Sequence, residues 1–306
     1  MLCKQLWYVV MVGLLSLCSS AVADMPEDAD FAKWQRTFSH QLVQQAERLS
    51  NDTFTEAFTI EYHLLRARGV PHCRISFVGM SEFRAWLTRF AREDFATYVT
   101  ALLSEFTPEQ QSIIKQRCRN RQAPYICLAR IDPLATIHTP AARITLDPTL
   151  SNLTYVALRE TLVHEYTHYL AQGHHYHQYV ALTEGMTEHL TRRVVARCHW
   201  RQQYDNVYRD EVRITELLLQ SDRRLLKDWY VGHKLSNYEL FDSLVNQLAP
   251  QPDDKLRFKV EQVVRNLQGF PETDEEKNIN AREHIETWLA RPKPRTTNPP
   301  TLATTR

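Results

Sequence analysis

The chain has 306 residues, 43% hydrophobic and 24% charged, a balance that suits one well-filled core and excludes fibrous, collagen-like and wholly disordered classes. A formal net charge of +1 leaves no basic footprint for a nucleic-acid partner. Seven glycines are few for turns, bulges and phosphate loops, so the composition points to a helix-rich fold without a nucleotide cradle.

The first residues read as an export signal. Lys4 supplies a positive start, Leu6 to Leu17 an apolar stretch, and Ala21-Val22-Ala23 a small-x-small cleavage site before Asp24. Residues 1–23 are too short an apolar run for a comfortable membrane span, so they are expected to be removed, leaving a periplasmic or secreted protein with no membrane attachment beyond the signal. Leu15-Ser16-Leu17-Cys18 resembles a lipoprotein box except at the bulky Leu17, which leaves lipidation of Cys18 as a minor alternative. In an oxidising compartment the four remaining cysteines allow three pairings. The expected one is Cys118 with Cys127, across the basic stretch 119–122, and Cys73 with Cys198; four free thiols are the alternative.

Phe31, Trp34, Phe38, Leu42, Ala46 and Leu49 recur at helical spacing. A second helix is expected over about 56–68, stopped by Gly69 and Pro71, and a strand over 73–78. From Ser81 a helical pattern rich in Phe and Leu runs to Phe106. Thr107-Pro108-Glu109-Gln110 then combines a capping Thr, Pro at the first helical position and Gln three residues on, which marks a new helix. Between Tyr125 and Leu146 the period falls to two, predicting short strands at 125–131, 135–138 and 142–146. Helical patterns return at about 153–172, 180–200, 210–219, 238–248 and 255–267. The Pro- and Thr-rich end, 291–306, reads as a disordered tail.

One constellation in this frame carries chemistry. His164-Glu165-Tyr166-Thr167-His168 is an HExxH pattern inside a predicted helix. Four residues advance a helix by about 400°, so the two histidines project from one face, a turn apart, where both can ligate one zinc ion. Glu165 stands beside them without ligating, in the place of a general base toward a water that the metal activates. In Leu182 to His189, Glu184 and Glu188 repeat the one-face spacing. Glu184 would complete a His2Glu site with an open position, and Glu188 could accept a ring N–H of His164 or His168 and fix its tautomer. The rival third ligand is His174, six residues after His168, as in the metzincin pattern HExxHxxGxxH; that pattern wants Gly where Ala171 stands, and Gly173 is out of place.

Val163 to Leu170, VHEYTHYL, and Thr183 to Leu190, TEGMTEHL, together resemble the gluzincin peptidases, and HEYTHYL is similar to the zinc helix of bacterial collagenases. The resemblance covers roughly residues 140 to 245. It implies an α+β, mostly helical, zincin-like fold, in which a small sheet is followed by the HExxH helix and the glutamate helix. It also implies a strand lining the cleft, for which 142–146 is in the right place, and peptide-bond hydrolysis. A Tyr or His from the C-terminal helices would stabilise the oxyanion; Tyr230 and His233 are the candidates, with Tyr238 behind them, and Trp229 stands where the family's Tyr-x-x-Gly form has Tyr. The expected organisation is a metallopeptidase domain over 24–290, with a helical part 24–122 and a catalytic part 123–290. It would bind Zn2+ and act on a peptide or protein substrate. A catalytically silent zinc protein that binds peptides or a partner along the same cleft is the alternative of a different class.

Overall fold

The computed structural model describes residues 26–49, 80–128, 135–138, 142–147, 154–171, 179–202, 207–232, 237–248, 253–267, 283–288 and 290. The expected signal at 1–23, the expected helix at 56–68 and strand at 73–78, the His174 segment, His233 and the expected tail at 291–306 lie outside them. The described residues are mostly helical with one small sheet, the α+β class the sequence implies. By its internal contacts the chain divides into two compact units, 1–173 with 190–203, and 174–189 with 204–306.

In the first unit, α1 (Pro26–Arg48) carries the predicted apolar face, and Phe31, Trp34, Phe38, Leu42 and Ala46 are all buried. The expected helix from Ser81 is α2 (Met80–Arg89), a π-helical turn (Phe90–Asp94) and α3 (Phe95–Leu103) in one continuous run. One extra residue per turn rotates the helix there, so that Phe90 and Phe95 both reach the core, where Phe95 stacks on Phe38 at 4.6 Å. Next comes α4 (Pro108–Arg119), which starts at the predicted capping box: Gln110 N–H donates to Thr107 Oγ1 at 3.4 Å, and Thr107 N–H to Gln110 Oε1 at 3.2 Å.

The sheet has the order β1 (Tyr125–Leu128), β3 (Arg143–Leu146), β2 (Ala135–His138), with β1 parallel and β2 antiparallel to β3. The strand expected to line a cleft is therefore the central one, and both its edges are taken. On the far side of β1, α1 covers the edge: Gln45 Oε1 accepts from Ile126 N–H at 2.7 Å, and Gln41 Oε1 from Ala123 N–H at 2.9 Å. The other edge belongs to β2. Tyr125 N–H donates to Ala142 O, so alternation turns the backbone of 142, 144 and 146 toward β1 and that of Arg143 and Thr145 toward β2. Their partners, His138 and Thr136, make the ladder. Ala135 and Ile137 turn their N–H and C=O groups to the outer edge, where no strand pairs among the described residues.

The expected disulfide between Cys118 and Cys127 is absent; Cys118, Cys127 and Cys198 are free thiols, and Cys73 lies outside the described residues. Strand alternation puts Cys127 on the sheet face of the exposed Tyr125, whereas Cys118 has 0% exposure. The two face different surroundings. Burial pushes the Cys118 thiol up to about 12, against the opposing pull of Arg121 and Arg117, and Cys198 up to about 11. Such thiols stay protonated near neutral pH, which disfavours them as metal ligands or nucleophiles.

In the second unit, α7 (Arg209–Ser221), α8 (Arg224–Val231), α9 (Asn237–Leu248) and α10 (Asp254–Asn266) bury Ile214, Leu218, Trp229, Tyr230, Phe241, Leu244 and Val260. No helix among the described residues is long and apolar enough to cross a membrane. Two further helices, α5 (Tyr155–Leu170) and α6 (Val180–Arg197), carry the sequence motifs, and α6 runs unbroken through residues of both units.

Candidate metal centre

α5 begins at Thr154, whose side chain accepts from Ala157 N–H at 3.2 Å. From Leu162 to Leu170 every residue of the helix is buried, whichever way it points. Tyr166 fills one side, stacked on Phe90 at 5.7 Å and edge-on to Phe38 and Phe95. Burial pushes its phenol well above the ordinary range, in keeping with a side chain enclosed by aromatic rings. Thr167 Oγ1 donates back to Val163 O at 2.7 Å and lies 3.2 Å from the Tyr98 hydroxyl, which ties the helix to α3.

The last carbonyls of a helix lack intrahelical partners, and α4 supplies them here. Arg117 donates to Leu170 O at 3.1 Å, and Arg121, just beyond α4, to Ala171 O at 2.9 Å. Arg121 also lies over the Tyr169 ring at 5.0 Å, and Tyr169 O–H donates to Gln122 O at 2.7 Å. The basic stretch read as a disulfide-closed loop is thus the cap of the HExxH helix. Cationic donors there also suit the negative end of the helix dipole.

His164 and His168 emerge from the opposite side of α5, 8% and 5% exposed, with their Nε2 atoms 3.0 Å apart and the rings inclined at 73°. Two nitrogens each about 2.0–2.1 Å from one tetrahedral zinc would be about 3.3 Å apart. Glu184, half-buried on α6, offers a carboxylate oxygen, and the ligand atoms of all three residues lie within 4.8 Å of one another. Two imidazole nitrogens and one carboxylate oxygen are a donor set that zinc accepts. Glu165, next to His164, is 6% exposed, and Glu188, one turn beyond Glu184, 4%.

α6 is held from several sides. Its C-terminal half presents Arg193 and Arg197 to the buried carboxylate of Glu105, with Arg193 Nη2 at 2.6 Å. At its start, Leu182 N–H donates to Tyr179 O. The Tyr179 ring stacks on Phe241 at 4.5 Å, lies under Arg265 at 5.3 Å, and sends its hydroxyl to Glu261 at 3.3 Å. Tyr179 has φ 57°, a left-handed conformation that costs a bulky residue free energy, which these contacts offset. Of the oxyanion candidates, Tyr230 is 0% exposed in α8, Tyr238 is 51% exposed at the start of α9, and His233 is among the residues not described.

The family model described as NFkB-p65-degrading zinc protease matches residues 109–249. The chain is similar to that family over this span. It amounts to a little under half of the sequence and runs from α4 to the end of α9, with both motif helices inside it. The match supports a zinc metallopeptidase, a hydrolase. No curated protein and no solved structure matches the chain. The structure brings together His164, His168 and Glu184, the three side chains that the sequence motifs single out. Sequence reasoning missed the arginine cap of α5, a contact between segments some 50 residues apart for which Arg117 and Arg121 carry no local signal.

Proposed function

We propose that the protein is a zinc-dependent peptidase with His164, His168 and Glu184 as metal ligands and Glu165 as general base. The observation that carries this reading is the convergence of the three ligand side chains within 4.8 Å, on motifs that lie inside the span similar to zinc proteases. Zinc at such a site lowers the pKa of water toward ~7 and polarises a substrate carbonyl. The chain's own residues do the rest. Glu165 takes the proton of the attacking water and passes it to the leaving amine. Glu188 accepts a ring N–H from a ligand histidine and fixes its tautomer. Tyr230 or His233 donates to the developing oxyanion.

The test is a peptide library, together with NFkB p65 because the family's description names it, offered with and without chelator. Cleavage is expected only with metal and to return on adding zinc. A wild-type protein that binds zinc and cleaves nothing would favour the silent peptide-binding reading.

An extended substrate would add to the sheet at the edge that no strand takes among the described residues, as in β-augmentation. That edge is β2, which packs against α5, and Ile137, like Ala135, turns its N–H and C=O outward. Proline is tolerated in an edge strand where the N–H faces away from the ladder. Ile137→Pro is therefore expected to keep the fold and raise KM by roughly two- to tenfold, the worth of about one hydrogen bond, with kcat little changed. An unaltered KM would remove β2 as the docking edge.

A further inference from the structure

We infer that Gly185 is a positioning residue for the metal site, the residue whose missing side chain lets α6 seat on α7 and so sets where Glu184 presents its carboxylate. A Cβ on Gly185 would stand 2.3 Å from Glu211 O, 2.7 Å from Glu211 C and 2.7 Å from Thr215 Oγ1. The first two are backbone atoms of α7 and have no rotamer to escape into. Gly185 lies in the interior of an 18-residue helix, where alanine is intrinsically the better residue. Its value is therefore in the close approach.

The notch sits one residue from Glu184. Relieving a 2.3 Å contact to the usual separation of about 3.5 Å requires roughly 1 Å of movement or an equivalent rotation of α6. Zinc–ligand distances tolerate about 0.2 Å. Such a shift moves the carboxylate out of ligating range while leaving both histidines on α5 untouched, which separates the effect from loss of a ligand side chain. Thr215, 0% exposed, forms the other wall.

This inference rests on the proposed metal site, and its readouts are zinc affinity and cobalt spectroscopy rather than turnover. Gly185→Ala is expected to fold, as judged by circular dichroism, and to bind zinc about 10–100-fold more weakly in chelator competition. Its Co2+ form should show altered d–d bands. Leu244→Ala, a buried change in α9 that adds no atom to the notch, should lower thermal stability and leave zinc affinity and the cobalt spectrum as in wild type. If Gly185→Ala does not fold, Thr215→Ile crowds the notch from the α7 side and is expected to weaken zinc in the same way. A folded Gly185→Ala protein with wild-type affinity and spectrum overturns the inference. So does failure of both notch variants to fold while Leu244→Ala folds, since the notch would then serve folding alone. A wild type that binds no zinc would instead remove the metal site itself.

Discussion

Glu184→Ala is expected to lose most of its bound zinc, whereas His174→Ala should keep zinc content near wild type. A four-ligand zinc site is worth roughly 10–16 kcal/mol, or about 3–4 kcal/mol per ligand, so removing one protein ligand weakens binding by a factor on the order of 10²–10³. Alanine at 184 leaves the two imidazoles on α5 in place, because their helix is fixed independently by the Phe38, Phe90 and Phe95 packing, by Tyr98 and by the arginine cap. The variant should therefore stay folded. Zinc content is read by elemental analysis after dialysis against a weak chelator. The opposite pattern, zinc lost with His174→Ala and kept with Glu184→Ala, would move the protein to the metzincin-like reading.

The two motif helices were legible because a 3.6-residue period forces spacing: residues four apart share a face, so the sequence alone puts the two histidines on one side of their helix and Glu184 and Glu188 on one side of theirs. The length of α5 was legible too, although its apolar pattern is poor. A helix buried all round has no solvent face to write a polar stripe, and its polar residues Thr167, His164 and Glu165 sit in the interior. The capping box at Thr107 was read in full, since both halves of it are local.

What escaped the sequence was non-local. Nothing in Arg117 and Arg121 announces that their donors reach carbonyls some 50 residues away. Strand order is likewise a tertiary fact: 142–146 alternates in the manner of an edge strand, and only pairing with both neighbours shows it to be central. The short helix α8 spans only eight residues, too few turns for the period of Leu225, Leu226, Trp229 and Tyr230 to stand out. The cysteine pairing was inferred from number and compartment, and the free thiols of Cys118, Cys127 and Cys198 overrule it.

Glu165→Gln is expected to yield folded, zinc-replete and nearly inactive protein. Gln keeps the length and one carbonyl oxygen of Glu, so the packing of a side chain only 6% exposed changes little, and neither His164 nor His168 loses its place on α5. What is lost is basicity: an amide does not accept a proton from water near neutral pH. General-base contributions of ~10²–10⁴-fold put the expected fall in kcat/KM well beyond assay error. Three measurements on one preparation decide the matter: circular dichroism for the fold, elemental analysis for zinc, and the rate on a peptide that wild type cleaves only when metal is present. If folding and zinc are retained and the rate is unchanged, the base lies elsewhere and Glu165 is a buried structural acid. If zinc falls together with the rate, Glu165 acts in holding the metal, and the division of roles along α5, histidines to the ion and glutamate to the proton, has to be redrawn.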